Sequence, residues 1–265
     1  MRDRFDAARD SRRDRAATGK SGSSSLLNTR NMTIAGVIVG VLIVVVVGIN
    51  QLGGKVSGTL EDPAMAYPAA LIDGTAIGKA DAPVTLEVYS DFQCSVCARF
   101  SRDVVPALVS QYVKAGTLRI VHHELGILGR GGADDESVLA ARGAYCANTQ
   151  GRYADYAHWV YANQDGVNAG GFRRERLTAI AAAAGVEPVA FGTCLEDPAA
   201  VAAVDAANAR GVELGINSTP TSYIAGQQIV GLKSAAELGA LIEAELVRLS
   251  ASPAASPAAS ASATP

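Results

Sequence analysis

The chain has 265 residues, 49% of them hydrophobic and 18% charged, enough to bury one core of ordinary size and too many for a peptide-sized scaffold. A formal net charge of -3 argues against a general nucleic-acid binder, which would carry a basic face. Four cysteines are too few for a disulfide-built scaffold and enough for a redox or metal site.

The charge is unevenly placed. Residues 1–31 carry eight Lys/Arg (Arg2, Arg4, Arg9, Arg12, Arg13, Arg15, Lys20, Arg30) against four Asp (Asp3, Asp6, Asp10, Asp14), and the acidic excess lies downstream. Residues 32–49 read MTIAGVIVGVLIVVVVGI without a charge. As a helix they would reach about 27 Å, close to the roughly 30 Å hydrocarbon core. The run has no polar face, as a core helix would, and its basic flank precedes it. The positive-inside rule therefore expects a cytoplasmic tail over 1–31, a transmembrane signal-anchor over 32–49, and an extracytoplasmic remainder. A cleaved signal peptide is the competing reading. It fits less well, because such apolar runs span about 7–15 residues and end near a small-x-small site, whereas the A-x-A here, Ala64-Met65-Ala66, lies far downstream. Gly36 and Gly40 have the spacing of a helix-pairing face, although glycine is common in membrane spans.

Residues 50–68 are punctuated by Gly and Pro without periodicity and read as a flexible tether. At the other end, 251–265 are Pro/Ala/Ser-rich, a composition that cannot bury a core. The intervening 69–250 form one domain of usual size. Its pattern predicts a strand over 84–89 and a helix from Cys94 to about Ala115, kinked by Pro106. A second strand over 117–121 completes a parallel strand–helix–strand unit. Five helices follow, over 136–149, 152–163, 174–184, 187–195 and 198–209, with glycines as breaks. Short strands at 222–224 and 228–230 flank a turn at Ala225-Gly226-Gln227, and a last helix runs over 234–249. Two halves of a sheet separated by a helical block at about 132–210 make an insertion architecture.

Cys94-Ser95-Val96-Cys97 stands where the first strand gives way to the helix. The unbonded N–H groups and positive dipole end of a helix start stabilise an anion there, so Cys94 is expected to have a lowered pKa. The spacing lets the two sulfurs close a small disulfide, with Cys94 as the exposed attacking thiolate and Cys97 behind it as the resolving thiol. The alternative, half of a zinc site, wants two more ligands at motif spacing. The remaining cysteines stand alone, and His122 and His123, adjacent on a strand, point to opposite faces. Trp159 reads as core, and His158 as facing solvent.

The segment Glu87 to Cys97, EVYSDFQCSVC, resembles the E-F-S-D-F-Q-C-P-x-C signature of DsbA-like thiol-disulfide oxidoreductases of the thioredoxin superfamily. Gly211 to Ile224, GVELGINSTPTSYI, is similar to that family's G-V-x-G-T-P-T-F-F-I segment. The resemblance covers roughly residues 70–248. It implies an α/β thioredoxin fold with an inserted helical domain, and a cis Thr219-Pro220 peptide beside the cysteines, which X-Pro bonds permit at low cost. It also places Glu87 on the family's buried acid, as the acceptor of the Cys97 proton; a solvent-facing strand glutamate is the plainer reading. Ser95 and Val96 depart from the family's usual Pro and its aromatic or His, and these two positions tune the thiolate. Cys146 and Cys194 read as a structural bridge across the helical block, with a second redox pair as the alternative.

The function expected is an extracytoplasmic, membrane-anchored enzyme that forms disulfides in reduced exported proteins and is reoxidised by a quinone-linked membrane partner. A disulfide reductase or isomerase is the nearest alternative, and a non-catalytic module binding clients or a metal is the rival of another class. No cofactor, metal or nucleic acid is called for, because both electrons reside on the sulfurs.

Overall fold

The computed structural model describes residues 59–251 except 65, 130 and 133. The expected cytoplasmic tail, the span over 32–49 with Gly36 and Gly40, and residues 252–265 of the tail lie outside these. Among the described residues no helix is long and apolar enough to cross a membrane.

Six strands form one sheet in the order β1-β2-β4-β3-β5-β6. They are β1 (Ile72–Asp73), β2 (Ala76–Ile77), β3 (Val84–Ser90), β4 (Leu118–Glu124), β5 (Thr221–Ile224) and β6 (Gln227–Val230). The central β3 and β4 run parallel, with Val84 opposite Leu118 and Ser90 opposite Glu124; β5 lies antiparallel on the other side of β3. The two-residue strands β1 and β2 are too short to show a periodicity, and their pairing depends on β4.

The helix α1 that joins β3 to β4 is continuous from Ser95 to Val113. It starts at Ser95–Arg99, widens to π turns over Phe100–Val104, returns to α over Val105–Leu108 and widens again over Val109–Val113. Pro106 explains the first widening: it lacks an N–H, and its ring would clash with the carbonyl four residues back in a regular helix. Longer-range bonds, such as the Val105 N–H to the Phe100 carbonyl, absorb the misfit, so the chain passes the expected kink without ending the helix. Leu86, Val88 and Ile120 from the sheet meet Phe100, Val104 and Leu108 of α1 in one core. On the same side packs the last helix, α7 (Ala235–Ala251), through Leu238 and Ile242.

Between β4 and β5 come α2 (Glu136–Thr149), α3 (Tyr153–Ala162), α4 (Arg174–Ala183), α5 (Pro188–Cys194) and α6 (Pro198–Glu213). Asp135, Glu187 and Asp197 cap α2, α5 and α6 by accepting N–H bonds of the first turn. The block closes around fully buried Tyr156, Phe172, Leu177 and Phe191, and Cys146 of α2 is bonded to Cys194 of α5. Trp159 is partly buried against this core. His158 does not face solvent, as expected, but is 7% exposed, with the Tyr67 ring packed against it at 4.8 Å.

That contact is one of several that the expected tether makes with the domain. Part of the expected tether is seated on the domain: Leu60 packs against the helical core, and the Glu61 backbone is paired with the Asn163 side chain. Apolar Leu60 and Tyr67 have sites to bury in, a tertiary outcome that local composition does not encode.

Candidate active site

The site lies where the two cores meet. Cys94 caps the start of α1 in extended conformation (φ -78, ψ 114), and Cys94, Cys97 and Ala98 pack with Phe92 into the core of the helical block. Both cysteines are free thiols. Cys94 is 9% exposed and Cys97 1%. The order is the expected one, outer thiol before inner, but Cys94 is more covered than an exposed nucleophile, because Phe92 and the helical block press the loop inward.

The Cys94 thiol lies 3.3 Å from the carbonyl of Thr219, and the Thr219–Pro220 peptide is cis. The Cys94 pKa is lowered from 9.0 to about 5. The largest cause is a hydrogen bond from the Cys97 thiol; the Thr219 side chain and the backbone N–H groups of Cys97 and Val96 add to it, and burial opposes. Cys97 is pushed far the other way, first by burial and then by the hydrogen bond and charge of Cys94. One sulfur is thus ionised at neutral pH while its neighbour keeps its proton, an arrangement suited to attack and resolution in disulfide exchange. Ser95 is exposed and Val96 half-buried; what position 96 offers the sulfur is its backbone N–H.

Glu87 is not on the cysteine side of the sheet. Leu86 and Val88 face the core with α1, so strand alternation sends Glu87 to the other face. There it accepts a hydrogen bond from the Tyr89 hydroxyl at 3.2 Å and lines an open groove with Arg210 and Tyr223. Tyr89 in turn stacks on His123 at 4.5 Å.

The acid on the cysteine side is Glu124, at the end of β4 opposite Ser90. One carboxylate oxygen accepts the Tyr153 hydroxyl at 2.5 Å; the other is buried without a hydrogen-bond partner. Burial, the largest cause, raises its pKa from 4.5 to about 7. Tyr161 connects it to the site, since its hydroxyl is within the electrostatic reach of both Glu124 and Cys97. Beside these residues Tyr67, His122, Tyr153, His158 and Tyr161 line a pocket of about 20 Å³, room for one water. His122 is kept neutral there, its pKa lowered to about 3 by burial and then by the neighbouring His158 and His123.

Asp91 is a second residue the motif alone leaves without a role. It is fully buried, and its carboxylate accepts the Gln93 N–H at 2.9 Å, the Ile127 and Leu128 N–H groups at 2.9 and 3.0 Å, and the Ser137 hydroxyl. It thereby ties the cysteine loop to the start of the helical block. Gln93 adds a bond to Glu136, which also accepts the Phe172 N–H.

Comparison with known proteins agrees with this geometry. The Thioredoxin family model matches residues 71–244. The oxidised BdbD of Bacillus subtilis is similar in structure (TM-score 0.60, 21% identity, 66% of this chain and 93% of that one). So is α-DsbA1 of Wolbachia pipientis (TM-score 0.56, 20% identity, 72% of this chain and 100% of that one). In sequence, a Na(+)/H(+) antiporter NhaA of Herminiimonas arsenicoxydans is 28% identical over 169 residues, 63% of this chain, and the match spans 25% of that protein's length. The chain belongs to the thioredoxin family, with the fold of DsbA-like thiol-disulfide oxidoreductases.

Proposed function

We propose that the protein is an extracytoplasmic disulfide donor, anchored by residues 32–49, that oxidises reduced exported proteins. The observation that carries this reading is the Cys94 thiolate, held at a pKa of about 5. A stabilised thiolate favours the reduced enzyme and makes Cys94 a good leaving group, so the Cys94–Cys97 disulfide is ready to be given away. The bridge between Cys146 and Cys194 supports an oxidising compartment, and the basic flank before the apolar run supports the orientation.

In the oxidised enzyme, a substrate thiolate attacks Cys94, forming a mixed disulfide as the Cys94–Cys97 bond breaks. Cys97 leaves with the electron pair and takes a proton, for which Glu124, through Tyr161, is the source. A second substrate thiolate then attacks the substrate sulfur of the mixed disulfide, and Cys94 leaves as its stabilised thiolate. The substrate has lost two electrons, which now reside on the two cysteines. A quinone-linked membrane partner would remove them.

Equilibration with glutathione tests the proposal. A reduction potential near about -120 mV marks a strong oxidant. A value near about -270 mV, that of thioredoxin, would make the protein a reductase and overturn the assignment. Cys94→Ser is expected to abolish exchange; retained exchange would remove Cys94 from the chemistry.

A further inference from the structure

Two neighbouring side chains at the end of α3 are absorbed by none of this chemistry. Asn163, 4% exposed, forms a reciprocal pair with the backbone of Glu61: its Oδ1 accepts the Glu61 N–H at 2.9 Å, and its Nδ2 donates to the Glu61 carbonyl at 2.9 Å. Nδ2 donates as well to the Trp159 carbonyl at 2.8 Å. The next residue, Gln164, reaches the cysteine loop. Its Nε2 donates to the Phe92 carbonyl and, at 3.2 Å, to the Cys94 carbonyl. The same Cys94 carbonyl receives the Ala98 N–H at 3.1 Å, a bond in the first turn of α1.

We propose that Gln164 is a positioning residue for Cys94, and that its hold on the cysteine loop depends on the seating of the arm at residues 60–63 on Asn163. The segment entering the domain then regulates how readily the site gives up its disulfide. This rests on the donor function proposed above.

Three features carry the inference. Phe92 is fully buried, so an unbonded carbonyl there has little water to turn to, and the Gln164 amide is its side-chain partner. Fixing the carbonyls of Phe92 and Cys94 fixes the backbone on which the Cys94 sulfur is presented to the Val96 and Cys97 N–H groups. Lastly, Asn163 and Gln164 share a peptide bond, so a shift of one displaces the other. Asn163 is held by the arm on one side, by α3 on the other and, at its carbonyl, by Arg176 of α4 at 3.4 Å, and Leu60 packs the arm against the helical core. Because Asn163 contacts the Glu61 backbone, Pro is the substitution there that removes a contact, by deleting the N–H.

The test uses the full chain, reduced, with the Cys94 thiolate titrated by its ultraviolet absorbance. Gln164→Ala is expected to raise the Cys94 pKa by about half a unit to one unit, the size of one neutral hydrogen bond. The corresponding equilibrium, in which two glutathione thiols reduce the disulfide to a dithiol and leave as glutathione disulfide, shifts about 3- to 10-fold toward the protein disulfide. Gln164→Glu keeps the shape, removes the donors and adds a charge, and is expected to shift the pKa further in the same direction. Glu61→Pro alters neither helix nor cysteine loop, and is expected to free residues 59–64 to proteolysis and to raise the Cys94 pKa in parallel.

An unchanged Cys94 pKa in folded Gln164→Ala and Gln164→Glu overturns the positioning role. An unchanged pKa in Glu61→Pro, with the arm released, overturns the coupling. If the wild-type potential is that of a reductase while these shifts occur, the donor function fails and the positioning of Cys94 stands.

Discussion

Replacing Cys146 and Cys194 together by alanine should reveal the size of the cross-link and its role. The two residues are 48 positions apart, so the bridge closes a loop of about 49 residues. In the chain-entropy model that loop contributes about 4 kcal/mol, by restricting the unfolded chain. Cys146 is fully buried, so truncating its sulfur adds a packing loss to the entropic one. With a urea slope of about 2 kcal/mol per molar, the midpoint of unfolding should fall by about 2 M or more. Urea denaturation followed by circular dichroism measures it, with Cys94 and Cys97 kept in one redox state throughout. A loss below about 1 kcal/mol would refute the reasoning, because it would mean that the unfolded chain is already restricted without the bridge. The folded variant should still exchange disulfides through Cys94 and Cys97. If exchange disappears while the fold persists, the bridge is a second redox pair and the structural assignment fails.

Removing the Cys97 thiol, as in Cys97→Ala, takes away the largest stabiliser of the Cys94 thiolate. One hydrogen bond to a charged group corresponds to about one to two pKa units, so alkylation-rate profiles of Cys94 should move upward by that amount; no movement would remove Cys97 from that role. Glu124 has a folded pKa of about 7 against 4.5, so its contribution to stability is present below pH 4.5 and lost as pH rises through 7. Glu124→Gln should flatten stability over that window and remove a group titrating near neutrality from the pH profile of exchange; an unaltered profile would exclude Glu124 as proton source. His122, lowered from 6.5 to about 3, acts in the opposite sense, costing stability as pH falls from 6.5 toward 3. His122→Asn should therefore lessen acid unfolding, measured as the denaturation midpoint at successive pH values. At Gly143 an added Cβ would collide with the Tyr156 hydroxyl, and Tyr156 is fully buried. Gly143→Ala should cost about 1–3 kcal/mol of stability in a thermal melt; a neutral result would mean that the Tyr156 ring has room to move.

Much of the fold is legible residue by residue. The apolar and β-branched run at 84–89 marks the central strand, and the Asp135, Glu187 and Asp197 caps with Pro188 and Pro198 mark helix starts, because capping and proline effects act within one turn. Where the sequence reading stops short, the missing information is pairing. The second strand was expected to end at Val121, yet β4 continues through His122, His123 and Glu124 because each has a partner across β3. That extension hides the half-buried acid. By alternation from Ile120, Glu124 falls on the core face and Glu87 does not, and the parity becomes readable only once the register is known.

By itself the sequence determined the cysteine pair at a strand-to-helix junction, because the spacing and the helix start are local, and it determined the order of the elements from β3 onward. It also marked Cys146 and Cys194 as the two cysteines outside the redox motif. Only the tertiary structure decided which acid stands on the cysteine side, how far Cys94 is covered and where residues 60–63 sit. Each of these depends on groups distant in the chain: Glu124 beside Tyr153, Cys94 against Thr219, Glu61 on Asn163. Such contacts arise from packing one element on another, and no window of sequence contains both partners.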